Sequence, residues 1–374
     1  EAIESYEKSL GILKKTLPAE HPSLATSYNN IGNVYRSMGE YSKELEYYEK
    51  SLEIYKQTLP ENHPSLATTY NNIGLVYKSM GEYSKALEYY EKSLEIKKKT
   101  LPANHPDLAT SYNNIGLVYK SMGEYSKALE YYEKSLEIRK KALPANHPDL
   151  ATSYNNIGNV YNAMGGYSKA LEYYGKSLEI LKKALPENHP DLASSYNNIG
   201  FVHNSMGEYS KALDYYGKSL EIMKIGLPEN HPSLATSYNN IGLVYHSMGE
   251  YSKALEYYKK DLEIMKKTLP ENHPDLATSY NNIGNVYNAM GGYSKALEYY
   301  EKSLEILKKA LPTNHPSLAT SYNNIGWVYR NRTDYKKALD YFHRALDIWQ
   351  RSLRLNHPNM QSVQECIDFV KKKL

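Results

Sequence analysis

Nine of the twelve histidines stand directly before a proline, and these His-Pro pairs follow one another every 42 residues. Imidazole serves as a metal ligand or a general base, but either chemistry needs several side chains that converge on one point. One histidine per unit cannot converge with the others when the units stack in a row. We therefore expect no metal site, and we expect loop and helix-cap roles for His21, His63, His105, His147, His189, His231, His273, His315 and His357.

Other reactive residue types lack the partners that catalysis requires. The single cysteine, Cys366, excludes an internal disulfide framework and has no catalytic histidine beside it in the sequence. His203 and His246 also stand outside any constellation of acidic or nucleophilic residues, and there is no phosphate-binding loop or H-E-x-x-H motif. The sequence predicts a protein without catalytic residues and without a cofactor.

The bulk composition limits the classes of partner. With 45 basic and 42 acidic residues, the formal net charge of +3 gives no general attraction to nucleic acid or to another polyanion. No apolar run approaches the roughly 18 residues that span a bilayer, and there is no signal-peptide pattern. One cysteine fits a reducing compartment. These features predict a cytoplasmic protein that does not enter membranes.

Each 42-residue unit carries the pattern of two helices, which we name helix A and helix B. In the unit from Pro64 to His105, Pro64 suits the first position of helix A, and apolar residues follow at spacings of three and four. Gly81 is placed to end helix A in a left-handed conformation, and the longer helix B starts at Tyr83. Gly74 recurs in the middle of every helix A, where glycine costs about 1 kcal/mol, so we expect close backbone approach by helix B.

These motifs resemble the tetratricopeptide repeat. Helix A carries Y-x2-I-G-x2-Y from Tyr70 where the repeat has W-x2-L-G-x2-Y, and helix B carries A-x3-Y from Ala86 where the repeat has A-x3-F. The terminal proline of the motif is absent, so helix B should run about two turns longer and extend the usual 34 residues to 42. The 42-residue units most closely resemble those of kinesin light chains. This resemblance implies a right-handed superhelical α-solenoid of stacked antiparallel helix pairs, with a concave groove that holds extended or helical peptides.

The repeats differ from one another mainly along one stripe of helix A. Asn29, Asn33 and Arg36 lie on this stripe in the first complete unit, at spacings that separate them from the core-facing residues. The resemblance places the stripe in the concave groove. The predicted peptide-binding residues are therefore Asn29, Asn33, Arg36, Asn71, Leu75, Lys78, Asn113, Leu117, Lys120, Asn155, Asn159, Asn162, Asn197, Phe201, Asn204, Asn239, Leu243, His246, Asn281, Asn285 and Asn288.

Two features of this stripe have alternative interpretations. Every unit has two consecutive asparagines, Asn29 and Asn30 in the first, whose carboxamides are suited to hold a peptide backbone. We favour that role for the first asparagine, while the second has the alternative role of bonding neighbouring helices. Arg36, Lys78 and Lys120 cluster in the first three units and favour an acidic peptide. Solvated surface cations are the alternative for these three residues.

The chain divides into three predicted parts. Residues 1–20 form a partial repeat that supplies only a second helix, residues 21–356 form eight repeats of 42 residues, and residues 357–374 form a C-terminal capping helix. The predicted function is a non-catalytic scaffold that binds peptide segments of partner proteins in its groove. The alternatives are a structural spacer or a solenoid that self-associates head to tail through its uncapped N-terminal end. RNA reading is a third alternative, but it predicts a strongly basic groove, whereas positions 162, 204 and 288 are asparagine.

Overall fold

The 42-residue pattern folds into alternating helices. The computed structural model describes residues 2–352 and 358–374, and all regular secondary structure within these ranges is α-helical. His357, at the start of the predicted capping segment, lies outside the described residues. The helices fall into two compact units, residues 1–185 and residues 186–374.

The first unit contains a single helix followed by four helix pairs. Its helices are α1 (Ala2–Thr16), α2 (Pro22–Ser37), α3 (Tyr41–Thr58), α4 (Pro64–Ser79), α5 (Tyr83–Thr100), α6 (Pro106–Ser121), α7 (Tyr125–Ala142), α8 (Pro148–Ala163) and α9 (Tyr167–Ala184). The even-numbered helices are helices A, and each packs against the helix B that follows it. Each helix B from α3 to α7 then packs against the next helix A, so the first unit is an α-solenoid.

The second unit contains four helix pairs followed by a single helix. Its helices are α10 (Pro190–Ser205), α11 (Tyr209–Gly226), α12 (Pro232–Ser247), α13 (Tyr251–Thr268), α14 (Pro274–Ala289), α15 (Tyr293–Ala310), α16 (Pro316–Asn331), α17 (Tyr335–Ser352) and α18 (Pro358–Lys371). The same alternation of A and B packing runs through this unit and ends with α17 against α18. Both units thus confirm the predicted all-α solenoid architecture.

The His-Pro pairs begin the helices A. His63 Nδ1 accepts a 3.2 Å hydrogen bond from the backbone N–H of Ser65, while Pro64 occupies the first helical position, where a missing N–H leaves no bond unmade. The same capping bond forms at every described His-Pro histidine from His21 to His315. These eight histidines therefore have the predicted cap role.

Apolar side chains from consecutive helices form the core between pairs. Ala86, Tyr90 and Leu94 of α5 are buried against Leu108 and Ile115 of α6. Full burial of a side chain of this size contributes roughly 1.5–3 kcal/mol, so stacking supplies stability that one pair of helices lacks.

The repeated glycine of helix A faces an aromatic ring. A Cβ added to Gly74 would lie 2.9 Å from Cδ1 of Tyr90, closer than carbon atoms pack. Close approach by helix B was the predicted reason for this glycine, but the group that approaches is a side chain rather than the backbone. The tyrosine ring fills the space that a methyl group would need.

Candidate functional site: the stripe along helices A

The predicted peptide-binding residues lie on the accessible surface of helices A, and we call their surface the A stripe. It comprises the positions equivalent to Asn29, Asn33 and Arg36 in each repeat, and every predicted residue on it is half-buried or exposed. In the second unit, neighbouring helices A touch directly, as α10 contacts α12 and α14 contacts α16. The stripe therefore continues from one repeat to the next within that unit.

The paired asparagines bond one repeat to the next. Asn114 Nδ2 donates to Asn71 Oδ1 at 3.1 Å, and the same bond of 2.7–2.8 Å recurs with donors Asn156, Asn240, Asn282 and Asn324 and acceptors Asn113, Asn197, Asn239 and Asn281. The second asparagine of each of these pairs thus has the inter-helix role that was its alternative. The first asparagine contributes only its side-chain oxygen to this bond, so the bond does not involve its N–H donors.

In the first repeat, the first asparagine bonds a threonine instead of an asparagine. Asn29 Nδ2 donates to Thr69 Oγ1 at 3.1 Å, and Asn29 Oδ1 is buried without a hydrogen-bond partner among the described residues. Thr69 stands where most repeats have serine.

The residue at the position of Asn33 differs between repeats and is either a hydrogen-bonded asparagine or an apolar residue. Asn33, Asn159 and Asn285 accept hydrogen bonds of 2.6–2.7 Å from the hydroxyl groups of Tyr48, Tyr174 and Tyr300 on the following helices B. Leu75 and Leu117 are half-buried at this position. Phe201 and Leu243 are 45% and 40% exposed, so the A stripe offers its most open apolar surface on α10 and α12.

Arg36 lies in an internal ion pair that the sequence analysis missed. Its Nε is 2.7 Å from Glu44 Oε1, and its Nη2 donates to the hydroxyl of Tyr48 at 2.8 Å. Glu44 is only 1% exposed and replaces the alanine that other repeats have at this position. That replacement was the available sequence signal. The charge of Arg36 is neutralised inside the protein and is not free for a ligand.

Lys78 and Lys120 have no such partner. Both ammonium groups are half-buried and form no ion pair with the residues that the structure describes. Burial lowers the pKa of both lysines, and the nearby charge of Lys120 lowers the pKa of Lys78 further. Incomplete hydration therefore distinguishes these two lysines from ordinary surface cations.

Two further cations of the first unit lie at the junctions between repeats. Lys97 Nζ donates to Ser111 Oγ at 3.0 Å, and Arg139 Nη1 donates to Ser153 Oγ at 2.8 Å and to the carbonyl of Asp149 at 2.9 Å. Burial lowers the pKa of both groups. Both side chains belong to helix B, and they reach the next helix A only because the repeats stack. Helical spacing alone does not reveal these contacts.

At the position of Lys78 and Lys120, helices α10, α12 and α14 of the second unit have neutral residues, whereas α16 has Arg330. Asn204 Oδ1 and His246 Nε2 are buried without a hydrogen-bond partner among the described residues, and burial lowers the pKa of His246. Asn162 Oδ1 in the first unit is also buried and unpartnered among the described residues, while Asn288 Oδ1 accepts a long bond of 3.5 Å from Asn331. The polar atoms of Asn162, Asn204 and His246 are thus buried and lack a hydrogen-bond partner among the described residues.

A cavity of about 430 Å³ opens beside the A stripe of the second unit. Thr278 and Asn281 of α14, Leu307 of α15 and Thr320 of α16 contribute to its lining. Lys97 and Arg139 stand at the position of Leu307 in the first unit, where their longer side chains reach the following helix A. The cavity is large enough for an amino-acid side chain and presents both apolar and carboxamide groups.

The sequence profile of the tetratricopeptide repeat matches nearly the whole length of this solenoid. The matches overlap and cover residues 1–57, 45–99, 65–141, 107–183, 149–225, 191–267, 233–309 and 275–351. The chain belongs to the tetratricopeptide repeat family. Its 42-residue repeats are of the kinesin-light-chain-like type. No curated protein matches the chain.

Several solved structures are similar to this chain. The apo form of the quorum sensor NprR from B. thuringiensis is 19% identical with a TM-score of 0.67, and the match covers 92% of each chain. Apo RapI is 21% identical with a TM-score of 0.58, covering 76% of this chain and 98% of RapI. The nearly identical TPR-like repeats of a kinesin-light-chain-type protein from Podosopora anserina, solved as a point variant, are 25% identical with a TM-score of 0.50, covering 55% of this chain and 97% of that one. These likenesses show a shared fold.

The tetratricopeptide helices are amphipathic rather than uniformly apolar. Among the described residues, none of the helices has the length and hydropathy needed to cross a membrane.

Proposed function

We propose that the chain is a non-catalytic protein-interaction scaffold whose A stripe binds an acidic peptide segment of a partner protein. The observation that carries the proposal is the pair of half-buried, unpaired ammonium groups of Lys78 and Lys120. Desolvation without an internal counter-ion costs free energy, which an anionic partner would recover.

The surroundings of these lysines suit an extended segment. Leu75 and Leu117 lie one helical turn before Lys78 and Lys120 on the same stripe, so each repeat offers one apolar and one cationic contact. Asn71 and Asn113 add N–H donors that their inter-repeat bonds do not use. Acidic and apolar side chains of a peptide would find complementary groups at the spacing of the repeats.

The two units differ in charge at the same positions. Lys97 and Arg139 add two cations without ion pairs in the first unit, where the second unit has Met223, Met265 and Leu307 at this position. At the position of Lys78 and Lys120, the first three repeats of the second unit have Asn204, His246 and Asn288, and only the last repeat has a cation, Arg330. The acidic segment is therefore assigned to the first unit.

A comparison of charge variants tests this assignment. The double variant Lys78→Gln with Lys120→Gln removes the unpaired cations, while the control Lys92→Gln with Lys134→Gln removes two exposed lysines that pair with Glu88 and Glu130 on helices B. Each chain is used to capture partners from cell extract, with and without ribonuclease. Equal helicity of both variants by circular dichroism excludes unfolding as the cause of any loss.

We expect the A-stripe variant to lose partners that the parent and the helix B control retain. Equal retention by both variants would contradict the proposal. Loss of all partners after ribonuclease treatment would favour RNA reading instead.

Self-association is a second candidate because of one exposed surface. Tyr6 and Ile12 of α1 are 39% and 64% exposed, although α1 packs against α2 on its other side. Exposed apolar side chains of this kind are suited to pack against another chain. Sedimentation velocity over a range of protein concentrations tests it, and a variant with Ile12→Lys should reduce any dimer or polymer that forms.

A further inference from the structure

Arg330 contacts two aromatic rings at the last repeat of the A stripe. Its guanidinium carbon is 4.4 Å from the ring centre of Trp327 on α16 and 4.1 Å from that of Phe369 on α18. Such contacts hold a guanidinium group by cation–π attraction and stacking. Neither contact is a hydrogen bond, so the N–H donors of the guanidinium are left for hydrogen bonding.

The guanidinium has no hydrogen-bonding or ionic partner among the described residues. No side-chain hydrogen bond or ion pair joins the guanidinium of Arg330 to another residue in the described ranges 2–352 and 358–374. Arg330 is half-buried, so its donors are partly shielded from water and remain accessible. A guanidinium in this setting has donors available for an external anion.

Arg36 occupies the equivalent position in the first repeat and shows what the last repeat lacks. Arg36 contacts Glu44 and Tyr48, and Tyr48 also bonds Asn33. In the last repeat, the three equivalent residues are Ala338, Phe342 and Trp327, none of which has a hydrogen-bond acceptor in its side chain. The arginine is the same in both repeats, but every internal acceptor has been replaced.

Aromatic packing also fixes the geometry of the last repeat. Trp327 meets Phe342 edge to face, with ring centres 6.3 Å apart, and Phe342 is fully buried. Phe369 is 38% exposed, and its ring centre lies 4.1 Å from the guanidinium carbon of Arg330. Because the rings restrict the arginine before any ligand arrives, binding loses less side-chain entropy.

We propose that Arg330, held by Trp327 and Phe369, is a binding site for one carboxylate group of a partner protein. A carboxylate is planar and accepts two parallel N–H bonds from a guanidinium edge, whereas the aromatic rings exclude a bulky ligand from its faces. The carboxylate comes from an acidic side chain or from a chain terminus, which share this chemistry. The site belongs to the second unit and is separate from the lysines assigned to the acidic segment above.

Fluorescence titration tests the site directly. The chain has two tryptophans, so Trp349→Phe leaves Trp327 as the only indole and makes its emission a reporter of Arg330. The probes are a tetraglutamate peptide blocked at both ends, a tetraglutamine peptide with a free terminal carboxylate and a fully blocked tetraglutamine peptide. Titrations at physiological ionic strength screen charge attraction beyond about 8 Å.

We expect at least one carboxylate peptide to bind and the fully blocked tetraglutamine peptide not to bind. The first two probes identify the source of the carboxylate. Arg330→Gln should weaken binding about ten-fold or more, which is the effect of losing a charge-assisted pair. Arg332→Gln removes the same charge from an exposed neighbour and should leave the affinity unchanged.

Ala338→Glu supplies the missing internal acceptor. The equivalent Glu44 is accepted at the same buried position, where it pairs with Arg36. The variant should therefore retain its thermal stability and still lose peptide binding. That result would show that Arg330 recognises a ligand and does not only hold α18 in place through Phe369.

Three results would overturn the proposal. These are failure of both carboxylate peptides to bind, equal weakening by Arg332→Gln and Arg330→Gln, or binding of inorganic phosphate in place of carboxylate. None of them affects the proposal for Lys78 and Lys120, because the partner-capture variants change only the first unit.

Discussion

Asp261 Oδ2 accepts a 2.6 Å hydrogen bond from Ser279 Oγ, which joins α13 to α14 in the core of the second unit. Asp261 is 2% exposed and stands where most repeats have a buried serine. The equivalent Ser219 donates instead to the carbonyl oxygen of Ala193 at 2.8 Å. Burial raises the pKa of Asp261 to about 6, although the bond from Ser279 opposes this rise and the charge of Asp275 adds to it.

Asp261→Ser should stabilise the second unit at neutral pH but not in acid. The folded chain holds the proton of Asp261 more tightly than the unfolded chain, so ionisation above pH 6 costs about 3 kcal/mol and this cost disappears as the pH falls from 6 to 4. Hydrogen exchange of α13 amides in parent and variant, measured from pH 4 to 8, gives the difference in opening free energy. A difference that does not change with pH would contradict the raised pKa.

Ser303→Asp provides the reverse substitution in the next repeat. Ser303 is buried and donates to the carbonyl oxygen of Ala277 at 2.8 Å. This variant should lose stability at neutral pH and recover part of it in acid.

Removal of Arg36 alone should destabilise the first repeat strongly. Arg36→Asn leaves Glu44 buried without its cation, which typically costs 3–5 kcal/mol. The double variant with Glu44→Ala recreates the pair found at Asn162 and Ala170, so it should cost less than Arg36→Asn alone. Thermal unfolding of the two single variants and the double variant measures this coupling, and simple additivity would show that the ion pair does not matter.

Two glycine-to-alanine substitutions should have opposite effects. A Cβ on Gly284 would lie 2.7 Å from the ring of Tyr300, so Gly284→Ala should cost about 1–3 kcal/mol. Gly217 lies within α11 with no atom within 4 Å of an added Cβ, so Gly217→Ala should stabilise by about 1 kcal/mol through helix propensity. Chemical denaturation of both variants measures the two changes. Destabilisation by both would show that the ring contact does not explain the glycine of helix A.

Thr333→Gly should stabilise the turn between α16 and α17. Thr333 has a φ of 60°, while the seven other A-to-B turns place glycine there. A β-branched residue in this left-handed conformation is strained by about 1–2 kcal/mol. Differential scanning calorimetry should show a higher unfolding temperature, and an unchanged temperature would indicate that the strain is offset elsewhere.

The sequence predicted the helices well because their ends depend on local chemistry. Pro64 and Gly81 determine the start and end of α4 through their own backbone geometry. The roles of Arg36 and Lys97 were not predictable in this way. Each depends on an atom from another helix, the Glu44 carboxylate and the Ser111 hydroxyl, and helical periodicity alone does not place those atoms.

The A stripe was predicted correctly as a surface, but the chemistry of its members needed the structure. The sequence treated Arg36 and Lys78 as equivalent cations, and only the contacts between helices show that one is neutralised and the other is unpaired. The predicted peptide contacts themselves remain predictions for the variants described above to test.

The bonds between paired asparagines have a consequence for changes in chain length. Where these bonds form, a repeat presents the same donor to the repeat before it and the same acceptor to the repeat after it, as Asn114 and Asn113 do in α6. Excision of 42 residues would therefore rejoin a donor with an equivalent acceptor, whereas excision of half that length would place a helix B where a helix A is needed. Genetic recombination between these near-identical segments would thus change the reach of the protein in whole steps, with its internal bonding preserved at each new length.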